Sequence, residues 1–175
     1  MTIASCLVDT NILLRMTRRS DPQHQLVDTA LARLASQGTI FHYTHQNIAE
    51  LWNAMTRPLV RNGLGLTVAE AEHEVRAIEA GMSFLPDSEP LYREWRRIVL
   101  QYEVLGVQVH DARLAAAMHV HHVTHILTLN VSAVLPLFTR TQFRSVRRTA
   151  FSINLLTPIS CRNSRSERGD SKKAL

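Results

Sequence analysis

Short apolar runs alternate along this chain with longer stretches in which apolar residues recur every three or four positions. The first run, Ile3 to Val8, reads as a buried strand. A helix follows across Gln23 to Leu34, with Leu26, Ala30, Leu31 and Leu34 on one face. Gly38 stops that helix, and Ile40 to Thr44 forms a second short strand leading into a helix that carries Glu50 and ends before Pro58. Thr67-Val68-Ala69-Glu70 has the form of a capping box and opens a helix to about Gly81. A strand around Met82 to Leu85 comes next, then a helix start at Ser88-Glu89-Pro90 and an amphipathic helix through Tyr102. Asp111 begins another helix, Thr124 to Asn130 reads as a strand with a polar end, and Ile153 to Pro158 as the last strand. Strand and helix in alternation specify an α/β fold, with a mostly parallel sheet covered on both faces.

The chain has 175 residues, enough for one well-buried core, and neither an internal repeat nor a linker divides residues 1 to 158. No apolar stretch approaches the ~20 residues that span a bilayer. The N-terminus lacks the basic start and apolar middle of a secretory signal, so the cytoplasm is the expected location. Cys6 and Cys161 make no disulfide framework. Charge changes the picture more. Residues 1 to 133 hold 11 Lys+Arg against 13 Asp+Glu, a net −2, whereas residues 134 to 175 hold 9 against 2, a net +7. The basic excess therefore belongs to the last quarter, where residues 159 to 175 read as a basic, disordered tail.

Candidate chemistry lies in three acids. Asp9 closes the first strand, so its carboxylate projects from the carboxyl end of the sheet, the edge where open α/β folds gather their sites. Glu50 is flanked by Ile48, Leu51 and Trp52, and Asp111 precedes an alanine-rich face suited to close packing. Singly, Asp9 and Asp111 read as helix caps and Glu50 as a solvated residue. Carboxylates among apolar neighbours need partners, and a hard divalent cation suits three of them.

Three stretches resemble the PIN-domain endoribonucleases, and within them the VapC-type toxins of toxin–antitoxin modules. They are Val8-Asp9-Thr10-Asn11-Ile12-Leu13-Leu14, Gln46 to Pro58 around Glu50, and His110-Asp111-Ala112-Arg113-Leu114-Ala115-Ala116 with Ile126-Leu127-Thr128-Leu129-Asn130 downstream. The resemblance spans residues 3 to 130 in the expected order. It implies a PIN-like three-layer α/β/α sandwich with about four or five strands. It also implies a ribonuclease dependent on Mg²⁺ or Mn²⁺, with Asp9, Glu50 and Asp111 as catalytic and metal-site acids and Asn11, Thr128 and Asn130 orienting the site. A homodimer held inactive by a small antitoxin follows from the same resemblance, and Leu51, Trp52, Met55, Leu91, Trp95 and Ile98 divide between a dimer face and plain core, mostly core. The nearby Arg15 and Arg57 are candidates to line an RNA path, with solvated side chains as the alternative.

The family pattern breaks after Asn130. Its members follow the Thr-x-Asn signature with an acid a few residues later, but here that position is Ala133, followed by Val134, and no Asp or Glu occurs from residue 112 to 166. Residues 131 to 152 read as a divergent, basic stretch with Arg140, Arg144, Arg147 and Arg148, whether by drift or by a frame alteration. The alternative function is a catalytically weakened PIN relative that binds RNA or antitoxin. His119, His121, His122 and His125 raise a zinc site as a minor rival, disfavoured because no cysteine lies nearby.

Overall fold

The computed structural model describes residues 3–130, together with the backbone of residues 149–152. Its sheet has five parallel strands: β1 Ser5–Val8, β2 Ile40–Thr44, β3 Ser83–Leu85, β4 His125–Thr128 and β5 Thr149–Ser152, in the order β3-β2-β1-β4-β5. The chain steps outward from β1 through β2 to β3, then crosses back to place β4 on the other side of β1. That reversal makes the gap between the carboxyl ends of β1 and β4 the topological switch point, where a crevice opens because the connections leave in opposite directions. Ile153 to Pro158, read from sequence as the final strand, lies outside the described residues, as do Cys161, Ala133 and the basic tail.

Among the described residues six α-helices form the outer layers: α1 Thr10–Thr17, α2 His24–Ser36, α3 His45–Thr56, α4 Val68–Gly81, α5 Glu89–Gln101 and α6 Gln108–Val120. Alternation along the strands divides the core between the two faces. Cys6 and Val8 of β1 and Leu127 of β4 join Ile12, Leu13, Val27, Leu51, Met55 and Val75 on the side of α1 to α4. Leu7 and Ile126 point to the opposite side, where Leu91, Ile98, Leu114 and Met118 of α5 and α6 close over them. The three-layer sandwich expected from the alternating pattern is the one observed.

Local chemistry sets several boundaries. Thr67 and Glu70 form the expected capping box of α4, the Thr67 hydroxyl accepting from the Glu70 amide while the Glu70 carboxylate accepts from the Thr67 amide. Ser88 caps α5 by accepting from the Leu91 amide, with Pro90 in the first turn, where its missing N–H costs nothing. α6 is buried almost all round through Ala112, Leu114, Ala115, Ala116, Ala117 and Met118, and small side chains let it sit close to the sheet. It begins at Gln108, so Asp111 is its fourth residue and not its first, a correction to the expected start. The mixed set weighed as a dimer face is largely core: Leu51, Met55 and Ile98 are fully buried and Leu91 nearly so, while Trp52 and Trp95 are partly buried.

Candidate active site

Asp9 stands immediately after β1, at the switch point. It occupies the cap position of α1 yet makes no side-chain cap hydrogen bond. Its Oδ2 instead accepts from the Thr128 hydroxyl at 2.6 Å and from Asn11 Nδ2 at 2.6 Å. Asn11 also donates to Thr128 Oγ1 at 3.0 Å, and its Oδ1 accepts from the Leu129 amide at 3.1 Å. The Thr128 hydroxyl accepts from the Asn130 amide at 3.0 Å. Asp9, Asn11, Thr128 and the Asn130 backbone thus form one hydrogen-bonded unit that fixes the Asp9 carboxylate across the β1–β4 gap.

Glu50 lies one and a half turns into α3 and is held from two sides. The Thr10 hydroxyl donates to its Oε2 at 2.8 Å, and Gln46, one turn earlier on the same helix, donates to its Oε1 at 2.8 Å. The same Gln46 amide donates to the His110 carbonyl at 3.2 Å, which ties α3 to the turn of α6 that bears Asp111. Thr10 in turn accepts from Asn47 Nδ2, and Asn47 Oδ1 accepts from the Thr44 amide and hydroxyl. The capping box of α3 therefore continues as a relay to the Glu50 carboxylate. Sequence reasoning gave no role to Thr10, Gln46 or Asn47. The spacing of four between Gln46 and Glu50, and the adjacency of Thr10 to Asp9, were the available signals.

The charge of Glu50 reaches Asp9, and the charges of Asp9 and Glu50 both reach Asp111. Burial raises the pKa of Asp9 above its ordinary value, and the Glu50 charge raises it further, against the lowering effect of the Thr128 bond and the Thr10 and Asn11 amides. Burial also raises Asp111, with the charges of Asp9 and Glu50 adding to the effect and His110 opposing it. Asp111 accepts no hydrogen bond among the described residues, and the exposed His110 ring lies 3.7 Å from Glu50 Oε1. In this arrangement no three His, Cys, Asp or Glu side chains among the described residues close on a single point as ion ligands. The donor chemistry nevertheless suits a hard divalent cation: carboxylate oxygens only, each raising the protonation tendency of the next, with one acid lacking any donor.

The arginines are placed differently. Arg15 donates to Gln23 Oε1 and to the Asn11 carbonyl, joining α1 to α2 beside the site. Arg57 donates to the Asn62 carbonyl and so closes the loop after α3. His119 pairs with Glu94 and His121 with the Pro86 carbonyl, so these two point to different partners and no zinc cluster forms among the described residues.

A PIN domain model matches residues 6–132. The chain belongs to the PIN-domain family. Among solved structures, VapC20 of Mycobacterium tuberculosis, a sarcin-ricin loop cleaving toxin, shares the fold with a TM-score of 0.54 at 15% identity, covering 69% of this chain and 86% of that one. VapBC2 from Rickettsia felis, bound to a DNA fragment from its promoter, gives a TM-score of 0.59 at 12% identity over 85% of this chain and 99% of that one. FitAcB from Neisseria gonorrhoeae gives 0.58 at 17% identity over 86% and 99%. No curated protein sequence matches this PIN-domain chain.

Proposed function

We propose that this PIN-domain chain is a divalent-metal-dependent endoribonuclease, the toxin of a toxin–antitoxin module acting in the cytoplasm. The supporting observation is a chain of hydrogen bonds at the switch point of a PIN-domain sheet whose fold resembles that of VapC20: Thr10, next to Asp9, holds Glu50, and Gln46 links Glu50 to the His110 carbonyl beside Asp111. Asp9 and Asp111 would hold Mg²⁺ or Mn²⁺ with Glu50 completing the set. When bound, such an ion supplies a water of lowered pKa and neutralises charge on the leaving oxygen of a phosphodiester. Thr128 and Asn11 aim the Asp9 carboxylate across the gap, and the Thr128 bond offsets part of the cost that burial and Glu50 place on its charge, since a hydrogen bond to a carboxylate favours its charged form. Thr10 and Gln46 fix Glu50, and Gln46 holds its distance to the Asp111 turn. Arg15 and Arg57 are proposed to flank the RNA path; a small antitoxin is a proposed partner, in line with the VapBC2 and FitAB complexes among the similar folds, and a second copy of the chain is proposed from the resemblance alone.

Cleavage of structured RNAs in Mg²⁺, Mn²⁺ and chelator, with Asp9→Ala alongside, tests the reading. Metal-dependent cleavage that disappears in the variant is expected, weaker than in relatives with the fourth acid and stronger in Mn²⁺ than in Mg²⁺. Robust cleavage at low Mg²⁺ contradicts the part assigned to the missing acid at Ala133. RNA binding without cleavage by either protein favours the second reading, a degenerate PIN module, which that same Ala133 motivates.

A further inference from the structure

A second feature opens on the same sheet edge, outside the acid cluster. Asp87, Ser88, Leu91, Tyr92, Trp95 and Arg113 line a depression of about 280 Å³, just below the ~300–1,000 Å³ of sites that take drug-sized ligands and on the scale of a single heterocycle. Leu91 forms its buried floor. Trp95 and Tyr92 form an angled aromatic wall, ring centroids 6.0 Å apart and planes at 36°. Trp95 is fixed, because its indole N–H donates to the Val109 carbonyl at 3.0 Å, two residues before Asp111. Tyr92 is 54% exposed, so its side chain can be reached from solvent.

The polar rim is a matched pair. Arg113 Nη2 donates to Asp87 Oδ2 at 2.7 Å, placing a carboxylate acceptor and a guanidinium donor side by side above the aromatic wall. Asp87 follows the end of β3, and His45, the first residue of α3, comes within 3.7 Å of it. Arg113 lies two residues after Asp111 on α6, just over half a turn along, so the rim and the acid cluster are served by different sides of the same helix.

We propose that this depression is a nucleobase subsite that stacks one unpaired base of the RNA on Tyr92 and offers the Asp87–Arg113 pair to its hydrogen-bonding edge. The inference rests on the nuclease reading and extends it to how the strand is held. A flat π-face is what exposed tyrosine recognises in single-stranded RNA, and every base edge carries a donor beside an acceptor, the complement of carboxylate beside guanidinium. The rim is neutral overall, so it grips a base and not a phosphate.

The test measures binding of a fluorescein-labelled single-stranded RNA to the full chain in chelator, by anisotropy, for wild type, Tyr92→Phe, Tyr92→Ala and Arg113→Gln. Tyr92→Ala is expected to weaken binding by about tenfold, the scale of one lost stacking contact, while Tyr92→Phe binds as wild type. Replacing one nucleotide of the RNA by an abasic unit is expected to cost wild type the same factor at one position, and Tyr92→Ala nothing further there. Unchanged binding by Tyr92→Ala and Arg113→Gln, or losses that multiply between protein and RNA changes, overturns the subsite, including the case in which only a protein partner is weakened. If wild type cuts RNA and Asp9→Ala does not, the nuclease reading survives such a result; if wild type neither binds nor cuts RNA, both fall.

Discussion

Asp9 is buried beside another acid, and its surroundings oppose its charge more than they favour it. The folded chain therefore takes up a proton at Asp9 more readily than the unfolded chain does. Protonation stabilises the fold, an effect complete below the ordinary value of 3.8 and lost as pH rises through the higher folded value. Asp9→Asn keeps the Thr128 contact and removes the charge, so in chelator its melting temperature should gain on wild type as pH rises from about 4 to neutrality. A gap that is constant, or that moves the other way, contradicts this account of the site. At Cys6 burial outweighs an opposing backbone hydrogen bond from Leu127: desolvation pushes its thiol up to about 12, which leaves it an inert core residue, as its place in an apolar run suggested. At this scale the three acids were legible because Asp9 closes an apolar run, Glu50 sits among apolar residues and Asp111 precedes an alanine-rich face. Asn11 and Thr128 were legible from the family resemblance, whereas Thr10, Gln46 and Asn47 were not singled out: apart from the Gln46–Glu50 spacing of four, they act through contacts 37 to 64 residues away in sequence.

Among the elements, α3 carries the densest set of duties. Its capping box feeds Thr10, and Gln46 spans from Glu50 to the α6 turn with its own Oε1 buried and unpartnered, a cost accepted inside a well-packed region. Gln46→Leu should therefore lower kcat roughly tenfold to hundredfold through misplacement of Glu50, with little change in melting temperature. An unchanged kcat would show that Thr10 alone suffices. The loop after α3 turns on Gly63, where an added Cβ would come 1.8 Å from the Arg57 carbonyl oxygen, on backbone that cannot yield. Gly63→Ala is expected to destabilise by ~1–3 kcal/mol in thermal or urea unfolding, the usual range for overpacking. Apart from α1, Thr10–Thr17, which the sequence reading did not delimit, the order of elements from β1 to β4 was readable from periodicity and capping chemistry. The start of α6 was misplaced by three residues because Val107 and Gln108 carry no capping side chain, while Asp111 looks like a cap.

In the whole molecule, topology does what no single element can. Reversal of strand order at β1 brings the ends of β1 and β4 together, and α3 and α6, from opposite layers, deliver Glu50 and Asp111 to that gap. Burial and mutual repulsion make charge at Asp9 and Asp111 costly there, a cost that the proposed divalent cation would offset. The charge division along the sequence places this acidic crevice in a net −2 body and the +7 excess in residues 134 to 175. Calorimetric titration of Mn²⁺ into the purified chain, with Asp111→Asn beside it, tests the central claim most directly. Saturable binding by wild type that is lost or greatly weakened in the variant is the predicted result; no binding by wild type, or equal binding by both, would contradict a cation site built from Asp9, Glu50 and Asp111.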